Sequence, residues 1–222
     1  MRLTNIKAVI FDLDGTLIDT RAGIEESVRY TLSVLGIKGL LETDIPKFIG
    51  PPIQQSLVEV AGLRQERAQE GADIFRNYYR TKALFKAHIY KDIDSLLQML
   101  KLKGLNIGVA TFKREDYAKT LLQGIGLAQY CDAICGADNL NQLTKKDIIL
   151  LAVRALGVET SSALYVGDTL NDATSAKAAA VPFVGVSWGF GFSQQMSCSS
   201  EFNTRIISRP LELLDYLFGG CI

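Results

Sequence analysis

Two aspartates separated by one residue are the residues of this 222-residue chain best suited to chemistry. They occur in Asp12-Leu-Asp14-Gly-Thr16, directly after the apolar run Ala8–Phe11. Asp and Gly also favour turns, so an ordinary turn is the alternative interpretation. A calcium loop is excluded, because its sixth and twelfth positions require Gly and Glu, where this chain has Leu17 and Gly23. Two carboxylates after a short apolar run remain, a pair suited to nucleophilic or acid–base work.

Polar residues also follow two other apolar runs of the chain. Thr111 comes directly after Asn106–Ala110, and Gly167-Asp168 comes directly after Ala163–Val166. Thr111 offers a hydroxyl donor, and Asp168 offers a third carboxylate. Because the carboxyl ends of parallel strands meet at one edge of a sheet, we expect both residues beside the first aspartate pair.

Two Ser/Thr-x-x-acid capping boxes predict helix starts next to further candidates. One is Thr144-Lys145-Lys146-Asp147, which places Lys145 at the first position of a helix. The other is Thr169-x-x-Asp172. Each candidate has an ordinary alternative, since Lys145 could be a solvated lysine and Asp172 could serve only as a helix cap.

Convergence of these four aspartates would concentrate negative charge at one point. Two carboxylates about 4 Å apart repel by about 4 kcal/mol at an effective dielectric constant near 20. Such a cluster needs a hard divalent cation and an ammonium group to persist. Carboxylate and carbonyl oxygens favour Mg²⁺, which commonly serves phosphate substrates. Carboxylates, a Thr hydroxyl and a lysine together predict a Mg²⁺-dependent phosphoryl-transfer site.

Short apolar runs alternate with helical patterns along most of the chain. The runs are Lys7–Phe11, Asn106–Ala110, Ala133–Cys135, Ala163–Val166 and Phe183–Val186, and the helical patterns lie near 92–103, 114–123, 146–156 and 170–180. Strands that are apolar on both faces and separated by helices predict an α/β fold with a Rossmann-like parallel sheet.

The segment after the first run breaks this alternation. From about residue 20 to residue 86 the apolar positions follow helical spacing, as in Ile24, Val28 and Leu32, and Gly50-Pro51-Pro52 interrupts them as a rigid turn. We therefore predict an all-helical domain at 19–86, inserted into an α/β core domain formed by 1–18 and 87–222.

Composition argues against several partners. Lys and Arg number 24, as do Asp and Glu, so the chain lacks the basic excess typical of nucleic-acid binding. The most apolar stretch, Ala178–Phe192, is interrupted by Gly and Pro and is too short to span a membrane. The apolar run before Asp12 is too short for a signal peptide, and four scattered cysteines fit a reducing compartment. These features predict a soluble cytoplasmic protein, and none of them indicates an oligomeric state.

In their order along the chain, the chemistry-bearing residues resemble the four motifs of the haloacid dehalogenase superfamily. The motifs are Asp12-x-Asp14-Gly-Thr16, Thr111, Lys145 and Gly167-Asp168-x-x-x-Asp172. The resemblance covers nearly the whole chain and is strongest for the phosphoglycolate-phosphatase-like hydrolases, whose helical cap lies between the first and second motifs. Trp188-Gly-Phe-Gly191 also resembles that subgroup. Phe112 and Lys146 depart from its pattern, which has a polar residue and often Pro there, so the resemblance does not fix phosphoglycolate as the substrate.

The resemblance implies a phosphoric monoester hydrolase that acts on a small phosphorylated metabolite. Asp12 would attack phosphorus and form an aspartyl-phosphate. Asp14 would protonate the leaving alkoxide and then activate water. Thr111 and Lys145 would hold the phosphoryl oxygens and offset their developing charge.

The resemblance also implies a bound Mg²⁺ and a cap that selects the leaving group. The aspartates implied in metal binding are Asp12, Asp14 through its backbone carbonyl, Asp168 and, in support, Asp172. The candidate substrate contacts are Arg21, Arg80, Lys113 and Gly50-Pro51-Pro52. The alternative for the three basic residues is a solvated surface position, which is usual for long basic side chains.

Three other functions fit parts of the sequence. Gly185-Val-Ser187-Trp-Gly189 matches a serine-hydrolase elbow, but that chemistry needs a His after the Ser and the only His is His88. A two-component receiver domain also combines Asp, Thr and Lys around Mg²⁺, but its acceptor Asp follows the acidic pair and no large helical insert follows its first strand. A sugar-phosphate mutase of the β-phosphoglucomutase type carries the same motifs and transfers phosphate to a sugar, so it remains the alternative.

Overall fold

The computed structural model describes residues 5–138, 142–192, 198–199 and 204–219, with the backbone alone for 198–199. The chain divides into two compact units, one formed by Met1–Asp19 with Ile89–Ile222 and the other by Thr20–His88. The second unit covers residues 20–88, where the sequence predicted an inserted domain at 19–86. Its function as a cap stays a prediction.

The strands of the described residues form two sheets. They are β1 (Ala8–Phe11), β2 (Ile18–Asp19), β3 (His88–Ile89), β4 (Asn106–Arg114), β5 (Ala133–Ala137), β6 (Ala163–Gly167), β7 (Phe183–Val186), β8 (Cys198–Ser199) and β9 (Thr204–Ile207). The larger sheet has the order β5-β4-β1-β6-β7-β9-β8, and β2 pairs with β3 in the smaller one. Neighbours in the larger sheet are parallel except β8 and β9. The predicted α/β fold with a parallel sheet is confirmed.

The helices of the described residues are α1 (Arg21–Val34), α2 (Ile53–Glu59), α3 (Ala68–Tyr78), α4 (Ile93–Leu102), α5 (Glu115–Gly124), α6 (Lys145–Ala155), α7 (Leu170–Ala178) and α8 (Glu212–Phe218). The second unit contains α1 to α3, short 3-10 turns and a π-helical turn at Tyr79–Ala83. Helix α1 buries Ile24, Val28 and Leu32 on one face, as their spacing predicted. Within the described parts of the chain, no helix is both long and apolar enough to cross a membrane.

The core sits around β1, which lies between β4 and β6. All residues of β1 are buried, because helices cover both faces of a parallel sheet. On one face, Ile148, Ile149 and Ala152 of α6 pack in the same cluster as Tyr165 of β6. Burial of apolar surface stabilises such a core by about 25 cal/mol per Å². This core fixes the strand ends from which the polar residues project.

Strand β4 carries an irregularity at its carboxyl end. Ala110 lies opposite Cys135 of β5, whereas Arg114 lies opposite Ala137, so four residues of β4 advance while β5 advances two. A bulge of this kind redirects side chains and is common beside active sites. The irregularity places Thr111, Phe112 and Lys113 on an extended segment where the sequence had predicted the strand to end at Ala110.

Candidate active site

Three central strands end together at one edge of the sheet. Phe11 at the end of β1 pairs with Val109 of β4 and Val166 of β6, so the residues that follow lie side by side. The backbone N–H of Asp12 donates to the Val166 carbonyl at 2.8 Å, which fixes the start of the loop. The polar side chains buried directly after these strands include those of Asp12, Thr111 and Asp168.

Helix α6 supplies the ammonium group of the site. Its capping box is present, since Thr144 Oγ1 accepts from the Asp147 N–H and the Asp147 carboxylate accepts from the Thr144 N–H. Lys145 is therefore the first helical residue, as predicted. Its Nζ lies 2.8 Å from Asp12 Oδ1 and 3.0 Å from Asp172 Oδ1, and its side chain is 4% exposed. Burial lowers the pKa of Lys145, but the two carboxylates outweigh burial and hold it above its ordinary value.

Asp172 both caps a helix and contacts the buried lysine. Its Oδ2 accepts hydrogen bonds from the Thr169 N–H at 3.1 Å and the Thr169 hydroxyl at 2.6 Å, so it caps α7. Its Oδ1 lies 3.0 Å from the Lys145 ammonium and 3.2 Å from the Tyr165 hydroxyl, whose single hydrogen is shared with the Ala110 carbonyl 2.9 Å away. The cap thus holds a carboxylate whose other oxygen orients the lysine.

Asp168 is held by two loops of the core unit. Its Oδ1 accepts from the Thr16 hydroxyl at 3.2 Å, and its Oδ2 accepts from the Phe190 N–H at 2.7 Å. The Phe192 N–H donates to the Asp168 carbonyl at 2.9 Å. The Trp188 indole N–H donates to the Thr16 carbonyl at 3.0 Å, which ties the loop after β7 to the loop after β1.

Gly15 explains why glycine follows the aspartate pair. Its φ is +84°, a left-handed conformation that most side chains disfavour. A Cβ at this position would lie 2.4 Å from Asp168 Oδ2, so only glycine lets the first loop approach that carboxylate. The turn alternative and the chemical interpretation of this loop are therefore compatible, because a tight turn presents the acids.

The extended end of β4 contributes Thr111 and a second lysine. Thr111 Oγ1 accepts from the Lys113 N–H at 3.1 Å, which leaves its O–H hydrogen to donate elsewhere. Lys113 Nζ lies 3.1 Å from Asp14 Oδ2, and the Lys113 side chain is 6% exposed. Lysine side chains are usually solvated, but that of Lys113 is buried. In the sequence, its position two residues after Thr111 is the signal that links it to the site. The ring of Phe112 lies 5.4 Å from Lys145 Nζ.

The sequence itself matches a known family over most of its length. Residues 9–186 match the family model of the haloacid dehalogenase-like hydrolases. The chain belongs to this family. The predicted membership of the superfamily and its assignment to hydrolases are therefore confirmed.

Individual relatives cover nearly the whole hydrolase. This chain is 31% identical over 189 residues to a 5'-nucleotidase of Pseudomonas aeruginosa, with 85% of this chain and 86% of the relative covered. It is 30% identical over 210 residues to a phosphoglycolate phosphatase of Aquifex aeolicus, with 94% and 95% covered. A solved structure of a predicted phosphatase from Clostridium acetobutylicum matches with a TM-score of 0.86 at 34% identity, covering 94% of this chain and 96% of that one. These similarities agree with the predicted phosphoglycolate-phosphatase-like subgroup.

The carboxylates of this haloacid dehalogenase-like hydrolase can hold a metal ion. Asp12, Asp168 and Asp172 each offer an oxygen within 4.8 Å of the others. Burial is the largest cause that raises the pKa of Asp12 to about 7 and that of Asp168 to about 8. Lys145 opposes this rise at both residues, and the negative charge of Asp172 adds to it. Ionised carboxylates at these positions therefore need more positive charge than Lys145 supplies.

The charge balance of the site indicates a divalent cation. When ionised, the three clustered aspartates Asp12, Asp168 and Asp172 carry a charge of −3 against +1 on Lys145, which leaves a formal charge of −2. All donors are oxygens, the set that Mg²⁺ prefers. Asp172 has four contacts within the described residues, with the Thr169 N–H and hydroxyl, the Tyr165 hydroxyl and the Lys145 ammonium, whereas Asp168 accepts two hydrogen bonds, so Asp168 is the less committed of these two carboxylates.

Proposed function

We propose that this hydrolase removes phosphate from a small phosphomonoester with the help of Mg²⁺, through an aspartyl-phosphate formed on Asp12. The observation that carries the proposal is the position of Asp12 at the end of the central strand, 2.8 Å from the Lys145 ammonium and in one carboxylate cluster with Asp168. Relatives that cover most of the chain carry the names of phosphatases, which supports the hydrolysis of phosphate esters.

In the first step the Asp12 carboxylate attacks phosphorus. A bond forms between phosphorus and a carboxylate oxygen, and the bond to the ester oxygen of the substrate breaks. Asp14 gives its proton to that leaving oxygen, so an alcohol departs rather than an alkoxide. Lys145, which contacts Asp12, and the buried Thr111 hydroxyl near the end of the adjacent strand β4 would stabilise the charge on the phosphoryl oxygens.

In the second step water attacks the phosphorus of the aspartyl-phosphate. Asp14, which is now ionised, takes a proton from this water. The bond between phosphorus and Asp12 breaks, inorganic phosphate leaves, and both aspartates return to their initial states. One proton thus moves from Asp14 to the leaving group and is replaced from water.

The proposed ligands of Mg²⁺ are the Asp12 carboxylate, the Asp14 backbone carbonyl and Asp168. When bound, Mg²⁺ supplies positive charge that offsets the phosphoryl group and the clustered carboxylates. Asp172 contributes by holding Lys145, and Thr16 and Phe190 hold Asp168 through the hydrogen bonds described above.

The proposal is tested with an aryl phosphate, Mg²⁺ and the substitution Asp12→Asn. We expect the wild-type protein to release phosphate and the variant to be inactive, since an amide is not a competent nucleophile. Asp215→Asn makes the same chemical change on an exposed residue of α8 and should keep full activity. Acid quenching of a turnover with radiolabelled substrate should trap label on wild-type protein and none on the Asp12 variant. Full activity of Asp12→Asn would overturn the nucleophile assignment.

The acceptor and the substrate need separate measurements. A panel should include phosphoglycolate and nucleoside 5'-monophosphates, which the names of the relatives suggest, with Mg²⁺ and with a chelator. Conversion of a hexose 1-phosphate to the 6-phosphate with negligible phosphate release would instead support the mutase alternative. Loss of activity with the chelator and recovery with Mg²⁺ is the expected metal dependence.

A further inference from the structure

Lys113 is a buried charged residue at the site that the reaction described above does not use. Its Nζ lies 3.1 Å from Asp14 Oδ2, and the two side chains are 6% and 15% exposed. We propose that Lys113 is a positioning residue that fixes the Asp14 carboxylate where it can exchange a proton with the leaving group. This inference rests on the proposed function, because it assigns Lys113 to the general acid of that reaction.

The backbone of Lys113 is fixed from two sides. Its N–H donates to Thr111 Oγ1 at 3.1 Å, and its carbonyl lies against Gly136 of β5, where a Cβ would approach to 2.5 Å. The β4 irregularity between Ala110 and Arg114 sets the direction in which the side chain leaves this segment. Lys113 therefore extends toward Asp14 from a rigid support.

Asp14 needs such a partner because the contacts that fix its backbone do not fix the orientation of its side chain. The backbone of its loop is closed by a bridge between Asp14 and Ile18 and by the Gly15 N–H, which donates to the Ile18 carbonyl at 2.9 Å. These contacts leave the rotamer of the carboxyl group to side-chain partners. A charge-assisted contact with a mostly buried ammonium orients a carboxylate more strongly than an exposed ion pair does. A general acid must reach its proton acceptor within about 2.6–3.2 Å, so orientation directly affects rate.

The two buried lysines consequently have different tasks. Lys145 contacts Asp12 and Asp172, so its loss should slow phosphoryl transfer from every substrate. Lys113 contacts Asp14, so its loss should slow the first step, in which the leaving group departs, only where that group requires a proton. The dependence of the rate on the leaving group therefore separates a positioning role from a general structural one.

The experiment compares two esters in each variant. p-Nitrophenyl phosphate releases a stable phenolate without protonation, whereas glycerol 2-phosphate releases an alkoxide that needs a proton. The measured quantity is the ratio of kcat/KM for the alkyl ester to kcat/KM for the aryl ester, which reports the steps up to the first departure of the leaving group. Both values come from one preparation, so partial misfolding cancels from the ratio.

General acid catalysis typically contributes about 10²–10⁴-fold, which sets the expected changes. We expect Asp14→Asn to lower the ratio about 100-fold and Lys113→Met to lower it about tenfold. Lys146→Met makes the same change at an exposed lysine, the residue after Lys145, and should leave the ratio and both rates unchanged. The double variant of Asp14 and Lys113 should match Asp14→Asn alone, because Lys113 acts through Asp14.

Each contrary result has a distinct meaning. A normal ratio in Lys113→Met together with a lowered ratio in Asp14→Asn overturns the role of Lys113 and leaves the proposed function standing. A further fall of the ratio in the double variant also overturns it, because Lys113 would then act on the substrate itself. A normal ratio in Asp14→Asn removes the general acid from the proposed function, and the inference falls with it.

Discussion

Removal of divalent metal ions should make the stability of this hydrolase fall as the pH rises from about 5 to 7. Burial raises the pKa of Asp12 to about 7 and that of Asp168 to about 8, from an ordinary value of 3.8. In this pH range the unfolded chain has released these protons, while the folded metal-free protein retains them. The folded state therefore binds more protons, and the free energy of unfolding decreases with increasing pH.

The size of the effect follows from the number of protons retained. The charge of Asp12 raises the pKa of Asp168, and the two carboxylates belong to one cluster, so we count one shared proton. One proton changes the free energy of unfolding by about 1.4 kcal/mol per pH unit. The unfolding entropy of a chain of this length is about 0.5 kcal/mol/K, so the melting temperature should fall by about 3 °C per pH unit. The total between pH 5 and 7 is about 6 °C.

The assay is thermal unfolding at several pH values in a chelator, with wild type, Asp12→Asn and Asp215→Asn. The Asp12 variant should show a smaller slope and a higher melting temperature than wild type at pH 7, whereas the Asp215 variant should follow wild type. Mg²⁺ at about 100 times its Kd should add about 2.7 kcal/mol at pH 7 and less at pH 5, where protons compete. A melting temperature in chelator that stays level or rises over this range, with parallel curves for wild type and Asp12→Asn, would show that the folded protein retains no extra proton on these carboxylates.

Three further substitutions test the contacts that support Asp172. Gly167→Ala should destabilise the fold by about 1–3 kcal/mol, because a Cβ there would lie 2.6 Å from the Asp172 Cβ; an unchanged melting temperature contradicts this. Tyr165→Phe should cost about 1–2 kcal/mol in urea unfolding, because the Ala110 carbonyl loses its buried donor; a neutral effect would count against that bond. Thr169→Ala should cost about 1 kcal/mol through loss of the α7 cap and should lower kcat, and normal kinetics would separate the cap from the site.

The parts of the site that the sequence predicted share one physical origin. Apolar runs mark buried parallel strands, and the residue after each run must appear at a common edge of the sheet. Asp12, Thr111 and Asp168 follow this rule, and the capping boxes locate Lys145 and Asp172 by local hydrogen bonding. The fold class and the convergence of these residues could therefore be predicted, because the sequence signals for them lie within a few residues of each other.

The parts that could not be predicted depend on distant or irregular contacts. The contact of Lys113 with Asp14 arises because β4 continues to Arg114 with a change of register, which breaks the alternation that sequence patterns use. The hydrogen bond of Phe190 to Asp168 depends on how the loop after β7 folds back. Strand β9 has four residues and includes exposed Arg205, so it gives a weak pattern.

The central position of β1 in the sheet affects how this protein folds during its synthesis. Strand β1 is synthesised before both of its neighbours, β4 and β6, which come much later in the chain. Thr16 and its partner Asp168 are 152 residues apart, which at about 5–20 residues per second means a delay of about 8–30 s. Until β6 has been made, the apolar strand β1 keeps at least one open edge that is available to other chains. Slow synthesis between β4 and β6 should therefore lower the yield of native protein through aggregation, while the molecules that do fold retain a complete site.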